Sequence, residues 1–186
     1  MVEISALVLP ILLSAVAAFI ASALIHMSSP LHKKDYGKLP DQDKVMDALR
    51  PFGIPPGDYL VPRPDGPSDM KSPEFKEKMN KGPVIMMSVW PTGMPGMGRN
   101  LGLWFCYCVV AGIFSAFVTG ETLAVGTPYM QVFCIAGTTA FLTYSAALWQ
   151  MSIWYRRPWG TTIRLTLDGV IYALLTAGIF GWLWPR

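Results

Sequence analysis

The stretch that decides the fold is 163-IRLTLDGVIYALLTAGIFGWLW-184, close to the end of a chain of 186 residues. It is apolar over the roughly 20 residues that a helix rising 1.5 Å per residue needs to cross a bilayer. Yet Arg164 and Asp168 lie inside it, where an ionisable side chain is costly and is by default a functional candidate. Arg164, Asp168, Tyr172 and Thr176 recur every four residues, so they form a polar stripe along one slowly drifting helix face. Beside it Gly169, Ala173, Ala177 and Gly181 recur at the same spacing. Small residues spaced this way let a second helix approach closely.

Working outward, three further apolar stretches of similar length appear at 4–26, 101–120 and 128–153. The second repeats the small-residue ladder with Gly112, Ala116 and Gly120, and the first does so with Ser14, Ala18 and Ser22. Only 15% of the residues are charged and 52% are hydrophobic, against about 25% charged in a typical soluble domain. The mean hydropathy is +0.38. The sequence therefore predicts an all-α integral membrane bundle of four transmembrane helices, with a polar connection of about 75 residues between the first and second. The division expected is a first helix at 1–26, a cytoplasmic connection with short helices at 27–100, and a three-helix membrane unit at 101–186. The first stretch has no basic n-region and its apolar run exceeds that of a typical signal peptide, so it reads as a retained span with Pro10 as a tolerated kink.

Lys and Arg placement sets the orientation. The first connection carries eleven of the fifteen basic residues, and the connection before the last span opens with Arg156 and Arg157. The opposite side has only Arg186. Both termini are thus expected outside a bacterial inner membrane, with 27–100 in the cytoplasm. Trp154 and Trp159 on one side, and Trp182 and Trp184 on the other, read with Arg156 and Arg157 as interface anchors.

Within the connection, "PDQDKVMDALRP" reads as a short amphipathic helix with Val45, Met46 and Leu49 on one side. "SPEFKEKMNKG" has Ser72 as its cap, Pro73 in the first turn and Gly82 as terminator. The run "PVIMMSVW" is strand-like and suited to pair with "DYLVP". "PTGMPGMGRN" then leads back to the membrane. Before the third span, Thr127 reads as a helix cap and Pro128 as a first-turn residue.

Chemistry is harder to find. Cys106, Cys108 and Cys134 have neither the even count nor the spacing of a disulfide framework or a zinc site. His26 and His32, the two histidines of the chain, fall at the inner end of the first span, so they cannot supply a transmembrane bis-histidine haem site. A metal site there would require a carboxylate such as Asp35, and two solvated interfacial histidines are the simpler expectation. The methionines around Met94 and Met97 have no Cys or His neighbour to complete a copper site. The glycines of "GMPGMGRN" lack the Gly-Lys-Ser/Thr ending of a phosphate loop. No nucleophile–base arrangement can be assembled. Neither catalysis nor a metal or cofactor is expected, and the net charge of +3 gives no reason to expect nucleic acid as a partner.

That leaves the Arg164/Asp168 pair. At i, i+4 the two charges can neutralise each other while Arg164 snorkels to the interface, which makes them a packing and anchoring device. The functional reading is a proton or ion path along Asp168, Tyr172 and Thr176.

Three segments, "LPDQDKVMDALRPFGIPPGDYLVP", "GRNLGLWFCYCVVAGIFSAFVTG" and "LDGVIYALLTAGIFGWLWP", together resemble a family of small polytopic bacterial inner-membrane proteins with no established activity. The resemblance implies location and architecture and carries no catalytic motif. The function expected from these observations is an accessory, structural or assembly subunit of a larger membrane complex, such as an electron-transfer assembly, with lipid and other membrane subunits as partners. The alternative is a small transporter or channel with Asp168 in a polar path.

Overall fold

A computed structural model describes residues 1–94 and 96–186. In chain order the regular elements are α1 (Val8–Ser28), α2 (Gln42–Leu49), β1 (Gly57–Val61), α3 (Pro73–Lys81), β2 (Ile85–Val89), α4 (Met97–Thr122), α5 (Tyr129–Ser145), α6 (Trp149–Ile153) and α7 (Trp159–Trp182). A short 3-10 turn, Ile4–Leu7, leads into α1, and another, Ala146–Leu148, joins α5 to α6. Among the described residues, four continuous helical stretches are long and apolar enough to cross a membrane: Ile4–Ser28, Met97–Thr122, Tyr129–Ile153 and Trp159–Trp182. Helix accounts for 68% of the chain, but β1 and β2 form a small sheet, so mostly helical is a better description than all-α.

The chain divides into two compact units, Met1–Gly37 with Gly96–Arg186, and Lys38–Pro95. The eleven residues that follow His26 therefore belong with the long helices rather than with the connection. Pro95, within the Pro/Gly stretch expected to return the chain to the bundle, lies outside the described residues.

In the helical unit, α1 packs on α4 and α7, and α5 packs on α4 and most extensively on α7. The four long helices thus close a ring in the order α1, α4, α5, α7. Its interior is built from small and hydroxyl-bearing side chains: Ser14, Ala15 and Ala18 of α1, Ala111, Ser115, Ala116 and Thr119 of α4, Ala136 and Ala140 of α5, and Ala173, Thr176 and Ala177 of α7. Most of the large apolar side chains point outward, among them Leu9, Leu12, Ile20, Leu103, Phe114, Phe117, Leu142, Ile163, Leu167 and Leu174, while Leu7, Ile11, Val132 and Phe180 are buried. Water would favour the reverse arrangement. Lipid tails are as apolar as leucine, so in a bilayer close backbone approach rather than large-side-chain burial drives helix association. Four buried hydroxyls return to their own helix, Ser14 Oγ donating to the Ile11 carbonyl, Ser115 to Ala111, Thr119 to Ser115 and Thr176 to Tyr172, while Ser145 and Ser152 bond across to Thr166 and Thr162 of α7. This is how a helix carries polar side chains through an apolar region without leaving them unpaired.

The small-residue ladders lie at the crossings. A Cβ added at Gly169 would collide with the Ser145 side chain, and one at Gly181 would lie 2.6 Å from the Tyr129 ring. At Gly112 it would press on the Ile11 backbone, and at Gly120 on the Val2 carbonyl. Gly137 of α5 faces Ala177 at a similarly tight approach, a Cβ there lying 2.9 Å from the Ala177 Cβ.

Thr127 does not cap α5, because its hydroxyl donates back to the Ala124 carbonyl and Pro128 occupies the cap position. Trp184 is 5% exposed, unlike Trp154, Trp159 and Trp182, which stand well out of the protein. Its indole N–H donates to the Ala124 carbonyl at 3.0 Å, so it closes the α4–α5 turn against the end of α7. Arg156 is exposed and Arg157 half-buried in the turn before α7. Cys108 is buried, Cys106 and Cys134 are exposed, and all three are free.

The second unit contains the antiparallel pair expected from "DYLVP" and "PVIMMSVW", with Tyr59 opposite Met87 and Val61 opposite Ile85. Ser72 caps α3 by accepting from the Phe75 amide at 3.0 Å, Pro73 follows it, and Gly82 ends the helix at φ 59°. Helix α2 forms where expected, and its Val45, Met46 and Leu49 side chains are exposed.

Candidate metal centre at the end of the bundle

The site is made by a chain reversal. Helix α1 ends at Ser28, and Ser29 adopts an extended conformation while its hydroxyl accepts from the Leu31 amide. Pro30 then starts a single 3-10 turn, Pro30–His32. Proline cannot continue the helix, but its fixed φ suits a first turn. The turn folds back over the last residues of α1, so the His26 and His32 rings lie 4.3 Å apart between centroids, inclined by 31°.

Asp168 of α7 meets the two rings. Its Oδ2 is 3.0 Å from His32 Nε2 and 3.6 Å from His26 Nε2. One potential ligand atom from each of the three residues falls within 4.8 Å of the others. Asp168 is 2% exposed, and the His26 side chain, at 45% exposed, forms the open edge.

A second layer fixes the chemistry of His32. Its Nδ1 lies 2.6 Å from Asp35 Oδ2, and the other oxygen of Asp35 accepts from Arg164 Nε at 2.7 Å and lies 2.5 Å from Nη2. Burial works to raise the Asp35 carboxyl, but the hydrogen bond from His32 and the hydrogen bonds and charge of Arg164 outweigh it and hold it below its ordinary range. Asp35 is therefore an anion and can only accept, so the proton on the shared hydrogen bond belongs to His32 Nδ1. In neutral His32 the remaining nitrogen, Nε2, presents a lone pair toward the Asp168 carboxylate, which is also an acceptor.

Two facing acceptors at 3.0 Å require a positive species between or beside them. A proton on Nε2 would provide one, but Nε2 and Asp168 Oδ2 lie outside hydrogen-bond alignment, and both oxygens of Asp168 and His32 Nε2 are buried without a partner. A buried unpaired carboxylate is among the costliest groups a fold can carry. A metal ion bound at about 2.0–2.1 Å to each ligand would place tetrahedral ligand atoms about 3.3 Å apart, between the two separations found here. The His32–Asp35 contact is also the carboxylate–histidine pairing that orients metal-bound imidazoles in known sites.

Arg164 therefore does not pair with Asp168. It reaches off α7 to Asp35, 129 residues away in sequence, and also donates to Thr161 Oγ1. The polar stripe is inward-facing but discontinuous: Arg164 serves Asp35, Asp168 meets the histidines, and Thr176 bonds its own backbone. Tyr172 is buried and its hydroxyl has no partner.

Beside the cluster is a cavity of about 820 Å³ between α1, α4, α5 and α7. His26, Asp168 and Tyr172 contribute to its polar side, while Phe19, Trp104 and Leu165 are among its apolar walls. Trp104 is held by its indole N–H donating to Ser22 Oγ at 2.8 Å, and it packs edge-on to Tyr172.

Fold and site together define a mostly helical protein with four helices of membrane-spanning length and a two-histidine, one-aspartate cluster at one end of their bundle. Compared with protein-family models, curated proteins and solved structures, the chain matches none.

Proposed function

We propose that this chain is a multi-pass membrane metalloprotein that holds one divalent transition-metal ion on His26 Nε2, His32 Nε2 and Asp168. The observation that supports this best is the buried, unpartnered Asp168 carboxylate facing a histidine whose other nitrogen is committed to Asp35. Two imidazoles and one carboxylate suit zinc, or ferrous iron in a facial arrangement, better than they suit calcium or magnesium. Three protein ligands leave a coordination position open, the pattern of sites that act on a bound molecule rather than merely brace the fold. Such an ion acts as a Lewis acid toward an oxygen placed at that position.

The basic residues of 27–100 and of the Arg156–Arg157 turn favour an inner-membrane orientation with both termini outside. In that orientation the metal centre lies near the cytoplasmic face. Attachment to a larger membrane assembly is compatible with this reading, since a metal-bearing subunit can serve a complex.

The test is metal content after purification in mild detergent from cells grown with zinc and iron. About one equivalent of a single transition metal is expected in the wild-type protein, and less than about a fifth of that in Asp168→Asn and His32→Gln. Metal-free wild-type protein that also fails to take up zinc or ferrous ion on titration would overturn the proposal.

A further inference from the structure

The cavity next to the cluster is polar at the Asp168–Tyr172 side and at the exposed Asn100 near the start of α4, and mostly apolar elsewhere. Among its described lining residues, Ser22 Oγ is already engaged with Trp104 and the Phe19 carbonyl, and the Tyr107 hydroxyl is within hydrogen-bonding distance of the Thr143 carbonyl. The buried polar atoms left without partners are the Asp168 oxygens and the Tyr172 hydroxyl, one helical turn apart on α7. From Met97 to Tyr107 the lining residues of α4 extend over about 15 Å at 1.5 Å per residue. A volume of about 820 Å³ lies within the roughly 300–1,000 Å³ of pockets that enclose small organic ligands.

We infer that this cavity binds a long-chain amphiphile whose oxygen-bearing head occupies the open metal position and accepts a hydrogen bond from Tyr172, with its tail along Phe19, Leu101 and Trp104. This deepens the metal-centre reading and rests on it. A fully apolar occupant would leave the Tyr172 hydroxyl unpaired, and a small polar one would leave the aromatic walls facing water. An amphiphile satisfies both ends. A head that can ligate the metal and accept from a phenol is a carboxylate, a carbonyl, a hydroxyl or a phosphate ester. Lipids and ring-headed isoprenoid carriers share this chemistry.

The experiment uses the full chain in lipid nanodiscs, loaded with Co²⁺ so that the metal reports on its own coordination through visible absorption. The probes are decanohydroxamate, a chelating head with a tail, and acetohydroxamate, the same head without one. Decanohydroxamate should shift the cobalt bands at a concentration at least about tenfold lower, a preference equivalent to burying about two methylenes. Ala23→Trp and, independently, Leu101→Trp fill the cavity from two helices. Each should bind one Co²⁺ and lose the preference, which separates cavity binding from partition into the bilayer. Tyr172→Phe should keep its Co²⁺ and weaken decanohydroxamate several-fold. Equal potency of the two probes, or a preference that survives in both Trp variants, overturns the inference while the metal centre stands. A wild-type chain that takes up no Co²⁺ overturns both. In a loaded wild-type protein, a decyl phosphate monoester and a decyl-substituted benzoquinone then distinguish a phospholipid-like head from a ring-headed carrier by which one competes with decanohydroxamate.

Discussion

Asp35 Oδ2 lies 2.6 Å from His32 Nδ1, and that relationship gives the site its direction. It places a proton on Nδ1, so that a neutral His32 directs the lone pair of Nε2 toward Asp168. Arg164 keeps Asp35 ionised and in place from the opposite side. The order Arg164, Asp35, His32, Asp168 thus alternates charge and hydrogen-bond polarity up to the contact between His32 and Asp168, where the proposal places the metal ion.

Asp35→Asn keeps the shape of the side chain and removes its charge. Because an amide can present its N–H₂ to His32 as well as its oxygen, the tautomer is no longer fixed. Metal affinity is expected to fall by about 10- to 100-fold, the usual consequence of losing an orienting partner, with binding stoichiometry unchanged at saturating metal. A competition titration against a chromophoric chelator measures it. An affinity equal to wild type would show that Asp35 does not orient His32 toward a metal.

Arg164→Ala leaves the Asp35 carboxylate largely buried without its cation. Hydrogen bonds to charged groups contribute about 1.5–3 kcal/mol each, and the variant is expected to lose about 2 kcal/mol of stability. In Arg164→Ala/Asp35→Ala the buried anion is gone, so the double variant should be less destabilised than the sum of the two singles. Unfolding of the purified protein by a graded denaturant provides the four values. Strict additivity would mean that the pair does not interact. The same experiment with Arg164 and Asp168 should show no pairing energy between those two groups.

Gly169→Ala places a methyl against Ser145 where α7 crosses the end of α5. Overpacking of this kind costs about 1–3 kcal/mol. Ser145→Ala removes the Oγ that lies nearest, so Gly169→Ala/Ser145→Ala should recover part of the loss. Recovery is partial because the Cβ atoms of Ser145 and Tyr144 would still lie 3.2 and 3.3 Å from the new methyl. Thermal melts of the three variants compare them, and a Gly169→Ala protein as stable as wild type would remove the close crossing from the account.

The orientation half of the proposal has its own test. Ser68→Cys, in the second unit, should react with a membrane-impermeant maleimide only after cells are permeabilised. The native cysteines are first replaced, because Cys106 and Cys134 are exposed. Labelling in intact cells would place 27–100 outside and the metal centre with it.

Much of the scaffold was legible in the sequence because its signals are local. Apolar runs of span length, the Ser72–Pro73 start and Gly82 stop of α3, and the strand-like run around Met86 each act through residues close in the chain. The ladders through Gly169 and Gly112 were visible for the same reason. The site was not legible, because His26 and His32 meet Asp168 only through the packing of α1 on α7. The Arg164–Asp168 pairing inferred from i, i+4 spacing failed since an arginine at the start of a helix can reach outward, and the Pro30 turn brought it Asp35. A usable signal was present: a lone aspartate inside an apolar run of span length, near the same end of the spans as both histidines of the chain. Trp184 was misplaced for a related reason, as interfacial composition does not reveal that the Ala124 carbonyl lies within reach of an indole N–H.

The most direct test of the central claim is X-ray absorption at the metal K-edge of the protein loaded with one equivalent of zinc. The metal centre should show four or five nitrogen or oxygen ligands at about 2.0–2.1 Å, with outer-shell scattering from two imidazoles that falls to one in His32→Gln reconstituted with excess zinc to offset its weaker binding. A spectrum without imidazole scattering, or one unchanged in His32→Gln and Asp168→Asn, would contradict a metal held by His26, His32 and Asp168.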